Sequence, residues 1–290
     1  MQTVLRKRRA VASIVATLML MLITVMTLAM TLSFVQSNLT RREAENEFTF
    51  AKVFMKTVGL QVDDVAWQTG QLDSLQYSSQ NSEMFLREGI LRYTVTINYA
   101  GSPAPTSETL TYTLNGLFYS IPVSKYNLEN LYHESILPGE MTKLVQNKPT
   151  EPITRVFVVQ KNPIGTEGDY VRIGVIPLFR YTEYSLTFSS GTTEYKKFFL
   201  TDLVTGLGTP SSPQYINLYS SKIDSFIRRG VTSMIFTVEY PRAAEGYDSE
   251  FFNFKDKNGA SLESKTLTFS PTDGVTVEIY VSTVEVGYRN

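Results

Sequence analysis

Few residues of this chain have the type and spacing to do chemistry, and each set lacks a partner its chemistry needs. The one histidine, His133, stands in Tyr132-His133-Glu134-Ser135, with no second imidazole for a zinc site and no pattern around it for a Ser-His pair. It reads as a surface or loop residue. No cysteine is present, which excludes disulfides, thiol nucleophiles and thiolate metal sites. Asp63-Asp64 is a carboxylate pair, but adjacent residues on a helix point about 100° apart and do not converge on one proton or metal, so a solvated pair is expected. Asp256-Lys257-Asn258-Gly259 opens like a calcium loop, yet its Gly comes too early and the twelfth position is not Glu; a hairpin turn fits better. Gly206-Leu207-Gly208 lacks the third glycine and the following helix of a dinucleotide loop, and Pro210 marks a plain turn. Asn38-Leu39-Thr40 is a glycosylation sequon, set on a helix close to an apolar segment where use is not expected. No catalytic, cofactor-binding or metal-binding residue is assigned, and the chain is not expected to be an enzyme.

The informative pattern lies in the first seventy residues. Arg6-Lys7-Arg8-Arg9 precedes Ala10, where an uncharged apolar run begins and continues to Val35. At about 26 residues it exceeds the ~20 that a helix needs to cross a bilayer core. Lys and Arg gather on the cytoplasmic side of such segments, so the N-terminus is expected inside and the rest of the chain outside. Of the 27 Lys and Arg, these four precede the run, and the remaining 23 face 28 Asp and Glu, a balance that argues against a nucleic-acid partner.

Beyond Val35 the composition turns polar without Gly or Pro, so the helix is expected to continue to about Thr69, with Gly70 as its stop. Ala44, Phe48, Ala51, Met55, Val58, Val62 and Val65 recur at steps of 4 and 3, one seam of a helix. Glu43, Glu45, Glu47, Lys52, Lys56 and Asp63 are left on or near the wet side. The seam's partner is either a second chain or the protein's own downstream domain. Gly59 weakens the helix by roughly 1 kcal/mol relative to Ala and is a candidate bend. Trp67 is expected to anchor the helix to the β-structure after it. Inside the apolar run, Ser13, Thr17, Thr24, Thr27 and Thr31 share one face, which either packs closely against neighbouring helices or bonds its hydroxyls to its own backbone.

An ordinary secretory signal has an apolar core of only ~7–15 residues and a small-x-small cleavage site after it; neither is seen here. The short basic leader, Ala10 at its end and Val11-Ala12-Ser13-Ile14-Val15 opening the helix resemble the class III signal of archaeal type IV pilins and archaellins. The resemblance implies that a prepilin peptidase cuts between Ala10 and Val11, with Arg9, Ala10 and Val11 as the processing residues, and that the apolar helix stays on the mature subunit. It also implies an assembly ATPase, a membrane platform protein and self-association into a filament. Two positions depart from the pattern: Gly is commoner in the place of Ala10, and Val15 stands where bacterial pilins carry Glu, which favours the archaeal branch.

From residue 71 onward period-2 alternation dominates. Tyr93, Val95 and Ile97 show it, as do Leu110, Tyr112 and Leu114, then Tyr184, Leu186 and Phe188, then Met234, Phe236, Val238 and Tyr240, and finally Val275, Val277, Ile279 and Val281. Antiparallel sheets with one wet face are implied. Asn115-Gly116 reads as a hairpin turn, and Asn127 to Ser135 and Ser221 to Arg229 as the only short helix candidates. Asn147-Lys148-Pro149-Thr150-Glu151-Pro152 is the best internal boundary. The expected organisation is α+β: a basic leader (1–10), a helix (11–70) with membrane segment 10–35 and its seam on the first β unit, that unit (71–148), and a second β-sandwich unit (153–290), or one large sandwich. The expected function is a structural subunit of a type IV pilus-like surface filament. The alternative is a non-polymerising, membrane-anchored surface protein with a binding or adhesion ectodomain.

Overall fold

The computed structural model describes residues 2–77, 82–100, 106–137, 145–146, 152–162, 168–188, 191–206, 215–254, 264–269 and 275–289; for residues 2–14 and a few at strand ends the description is of the backbone alone. The order of elements is α1 (Gln2–Ala66), β1 (Leu72–Gln76), β2 (Glu83–Tyr99), β3 (Ser107–Pro122), β4 (Tyr132–Leu137), β5 (Val145–Gln146), β6 (Thr154–Lys161), β7 (Tyr170–Pro177), β8 (Phe179–Phe188), β9 (Gly191–Thr205), β10 (Tyr215–Glu239), a 3-10 turn (Ala243–Glu245), α2 (Ser249–Phe252), β11 (Ser264–Thr268) and β12 (Val275–Arg289). This is the expected α+β class, a long N-terminal helix followed by mostly antiparallel β-structure. Residues 1–46 and 47–290 are two separate units.

In the second unit all described strands join one sheet, in the order β4-β6-β7-β3-β2-β10-β12-β9-β8-β5, with β1 and β11 added alongside β10. Strands from before and after the expected 148/153 boundary interleave, since β3 pairs with β7 and β2 with β10. Residues 147–151 of that boundary lie outside the described residues, as does the turn expected at Asp256–Gly259. Among the described residues only β9–β12 and β5–β8 pair in parallel. Four strand steps separate β2 from β8, about 19 Å in a flat sheet, yet the Tyr93 and Phe179 rings lie 5.1 Å apart. The sheet is therefore rolled on itself.

Rolling gives the sheet two cores. One, inside the roll, holds Tyr93, Val95, Phe118, Phe157, Phe179, Phe198 and Phe236, together with Phe251 and Phe252 of α2. The other lies on the opposite face, where the seam residues Phe48, Ala51, Met55, Val58, Val62 and Val65 pack with Leu117, Tyr119, Val156, Val158, Val171 and Ile173. The seam also meets Leu203, Ile216, Leu218, Val284 and Val286, so it serves strands from both halves of the sequence rather than the first β unit alone. With both faces covered, β6 and β7 are buried almost throughout, in place of the expected single wet face. Ala44, in the first unit, is buried as well.

Several local expectations are corrected. Asn115-Gly116 is no hairpin turn but lies within β3, where Asn115 alone faces a bulge of three residues in β2, between the pairs Arg87–Gly116 and Leu91–Leu114. Gly89, at φ +67°, donates its N–H to Asn115 Oδ1 at 2.7 Å, and Asn115 Nδ2 donates to the Leu203 carbonyl at 2.7 Å. Ser221–Arg229 lies within the 25-residue β10, where ladder pairing with β12 overrides its helical pattern. Asn127–Ser135 is not helical: Asn127–Leu131 is irregular and turn, and Tyr132–Ser135 belongs to β4. Gly59 owes its place to close packing: a Cβ there would meet Val156 Cγ2 at 2.6 Å. The helix ends at Ala66, and Gly70, at φ +87°, donates to the Ser220 carbonyl at 2.8 Å as the chain turns into β1. Trp67 does sit at this junction, edge-on to Phe199 at 5.2 Å.

Candidate functional site

In the first unit α1 presents an unbroken apolar surface. Between Val15 and Val35, 14 large apolar side chains are 47% to 71% exposed. At roughly 1.5–3 kcal/mol for each such side chain moved out of water, this surface represents on the order of 20–40 kcal/mol of unfavourable hydration. The segment is long and apolar enough to cross a membrane.

The hydroxyl face within it is closed on itself. Thr24 donates to the Leu20 carbonyl at 2.8 Å, Thr27 to Ile23 at 3.0 Å and Thr24 at 2.9 Å, and Thr31 to Thr27 at 2.7 Å. Bonded in this way, these threonines bring no unmet donor into hydrocarbon while keeping the face narrow. Thr17 is exposed on the same face. Arg9, Ala10, Val11 and Ser13 lie in helical backbone, and their side chains fall outside the description. Asn38 of the sequon donates its side-chain amide to the Phe34 carbonyl at 2.9 Å, which holds it in the helix.

The polar residues expected on the wet side divide. Arg41 and Glu45 form an exposed pair at 3.3 Å. Glu47 instead accepts from Tyr119 Oη at 3.1 Å and from Ser82 Oγ, and Lys52 pairs with Glu134 at 2.5 Å. Asp63 and Asp64 are not a solvated pair. Asp64 is exposed, whereas Asp63 accepts from Thr154 Oγ1 at 2.8 Å and Thr154 N at 3.1 Å. Burial pushes the Asp63 carboxyl up to about 6, against the lowering effect of those bonds and of Arg180. These groups tie the amphipathic half of α1 to β3, β4 and β6.

His133 lies in strand β4 rather than in a loop, and it is half-buried. It stacks on Phe157 at 5.5 Å, and burial pushes its imidazole down to about 4, opposed by a hydrogen bond with the Phe252 backbone. It is neutral at physiological pH. Among the described residues no group of three or more His, Cys, Asp or Glu is placed to hold a metal.

One cluster was not anticipated: Arg87 and Arg172, which share the rings of Phe85 and Tyr247. The signal was present, since Arg172 is a lone charge inside the apolar strand Tyr170–Pro177; its partners, distant in sequence, were not legible. Comparison with known proteins returns no match, whether to a family model, a curated protein or a solved structure.

Proposed function

We propose that the chain is a structural subunit of an archaeal type IV pilus-like surface filament, inserted in the membrane before assembly. The observation that carries this reading is the uncovered apolar surface from Val15 to Val35, preceding in sequence a β-unit that completes its own two cores without it. A helix of this kind leaves lipid only when other apolar helices replace the lipid. Under this reading the N-terminus is cytoplasmic, the β-unit lies outside, a prepilin peptidase cuts between Ala10 and Val11, and an assembly ATPase and platform protein drive polymerisation. An Ala10→Asp change should block cutting and abolish surface filaments; filaments persisting in that variant would overturn the reading. The alternative, a membrane-anchored surface protein that does not polymerise, is favoured by one observation. The hydroxyls of Thr24, Thr27 and Thr31 are spent on their own helix and do not require a neighbour. In that case Ala10→Asp leaves surface display unchanged.

A further inference from the structure

Along β10 the neighbouring strands change, and between them one stretch keeps a single partner. On one side β12 runs beside Tyr215 to Val231 and β11 beside Ser233 to Thr237. On the other side β1 pairs only as far as Tyr219, closed by backbone bonds of Gly70 and Gln71 to Ser220. There β2 begins at Val231, next to the bond from the Ala100 N–H to the Gly230 carbonyl. Among the described residues no strand meets Ser221 to Arg229 on that side, a gap of about 30 Å at ~3.4 Å per residue. A strand with one neighbour presents unpaired N–H and C=O groups, a template for a further strand. From Ile223 to Arg228 this edge pairs with β12 without a bulge, and it carries Phe226 and Ile227, 39% and 57% exposed.

Charge identifies the occupant. Two copies joined antiparallel through this edge are related by a two-fold axis normal to the sheet, because such a contact is self-complementary. The axis keeps every side chain on its own face, and opposed residues share a face, so it passes beside a residue and not between two. Centred on Asp224, it sets two carboxylates against each other; centred on Ser225, it sets Lys222 against Arg228 twice. Centred on Ile223, it opposes Lys222 to Asp224, but β1 already holds Tyr219 and only Ser221 to Ser225 can pair. Centred on Ile227, it makes no ion pair. Centred on Phe226, it opposes each Asp224 to the other copy's Arg228, with the two Phe226 rings between them, and Ile223 to Arg229 all pair. Arg228 holds Glu108 through Nε and Nη2 at 2.7 and 2.8 Å, which leaves guanidinium donors for a second carboxylate. Asp224 otherwise has only the exposed Lys222 at 2.8 Å. We propose that this edge of β10 recognises a second copy of the chain and continues the sheet across a two-fold axis at Phe226. The contact involves the β-unit alone and stands whether or not the apolar helices build a filament.

The test is disulfide cross-linking of the full chain in detergent micelles at low salt, read on non-reducing gels. The chain has no cysteine of its own, so a single one reports one position. Opposed residues of an antiparallel pair have Cα atoms ~4.5–5.5 Å apart, within disulfide reach. Phe226→Cys should therefore form a covalent dimer under mild oxidation. Ile227→Cys should not: Ser225 stands opposite it, and the two copies of residue 227 lie about 8 Å apart, beyond that reach. Both positions are exposed, so both variants keep the fold. Adding Asp224→Lys to Phe226→Cys should slow cross-linking about tenfold, as two attractive pairs become repulsive. No dimer from Phe226→Cys overturns the proposal, as does a rate unchanged by Asp224→Lys. Equal cross-linking of Ile227→Cys also overturns it, since that is what apolar helices crowded into one micelle would give.

Discussion

Replacing Asp63 with Asn should stabilise the β-unit at neutral pH and remove part of its pH dependence. Asp63 stands in the last turn of α1, and burial raises its carboxyl from an ordinary 3.8 to about 6. Below pH 3.8 the group is protonated folded and unfolded, so it costs nothing. Between 3.8 and 6 the folded state holds a proton that the unfolded state has released, and stability falls as pH rises. Above 6 the cost is complete, about 3 kcal/mol for a shift of about two pH units. Asn keeps an oxygen to accept from Thr154 N and Oγ1 but cannot ionise. Asp63→Asn should therefore exceed the parent by up to about 3 kcal/mol at pH 7, a gap that closes as pH falls below 4. Urea unfolding of the full chain in micelles can be read by Trp67, the only tryptophan, which reports on the same junction. Asp202, also pushed up to about 6 by burial and by Glu88, titrates in the same window, so the difference between parent and variant is the quantity to measure. A variant less stable than the parent at pH 7, by an amount that grows with pH, would show that attraction to Arg180 outweighs desolvation and would refute the reasoning.

Three other perturbations test the packing. Gly59→Ala, a gain of about 1 kcal/mol by helix propensity alone, should instead lower the melting temperature. Its Cβ would stand 2.6 Å from Val156 Cγ2, and overpacking costs about 1–3 kcal/mol; a higher melting temperature would contradict that contact. His133 is held neutral to about pH 4, so its contribution is complete above 6.5 and lost as pH falls through 4. His133→Phe should therefore blunt acid unfolding between pH 6.5 and 4, measured as the difference from the parent in thermal melts; an unchanged acid limb would contradict it. If the chain is a filament subunit, as proposed, replacing Thr24 and Thr27 together with Leu should thin or abolish filaments in electron micrographs while membrane insertion persists. Unchanged filaments would remove that face from the packing interface.

What the sequence reveals depends on how local the determining interaction is. The seam from Ala44 to Val65 was legible because helical spacing is written in neighbouring residues, and each of its members is buried. The helix's outward face was less so, since Phe50 and Val53 lie exposed there beside the charges. Strand alternation was legible wherever one face meets a core, as in Tyr93, Val95 and Ile97. It failed in Ser221–Arg229, whose strand state comes from pairing with β12, far along the chain. Asn115-Gly116 looks like a turn in isolation; only the bulge at Gly89 makes it part of a continuous strand. The cluster of Arg87 and Arg172 was illegible for the same reason. Arg87 and Arg172 meet only because β3 pairs with β2 on one side and β7 on the other.

Whether the apolar helix is processed and kept as a filament-forming element is decided by the intact mass of the protein from its native membranes. A filament subunit should begin at Val11, without Arg6-Lys7-Arg8-Arg9 and Ala10 but with the whole segment from Val11 to Val35 retained. A chain still beginning at Met1 or Gln2 would contradict that reading and return the protein to a signal-anchored surface protein, and a chain beginning beyond Val35 would remove the helix from both readings.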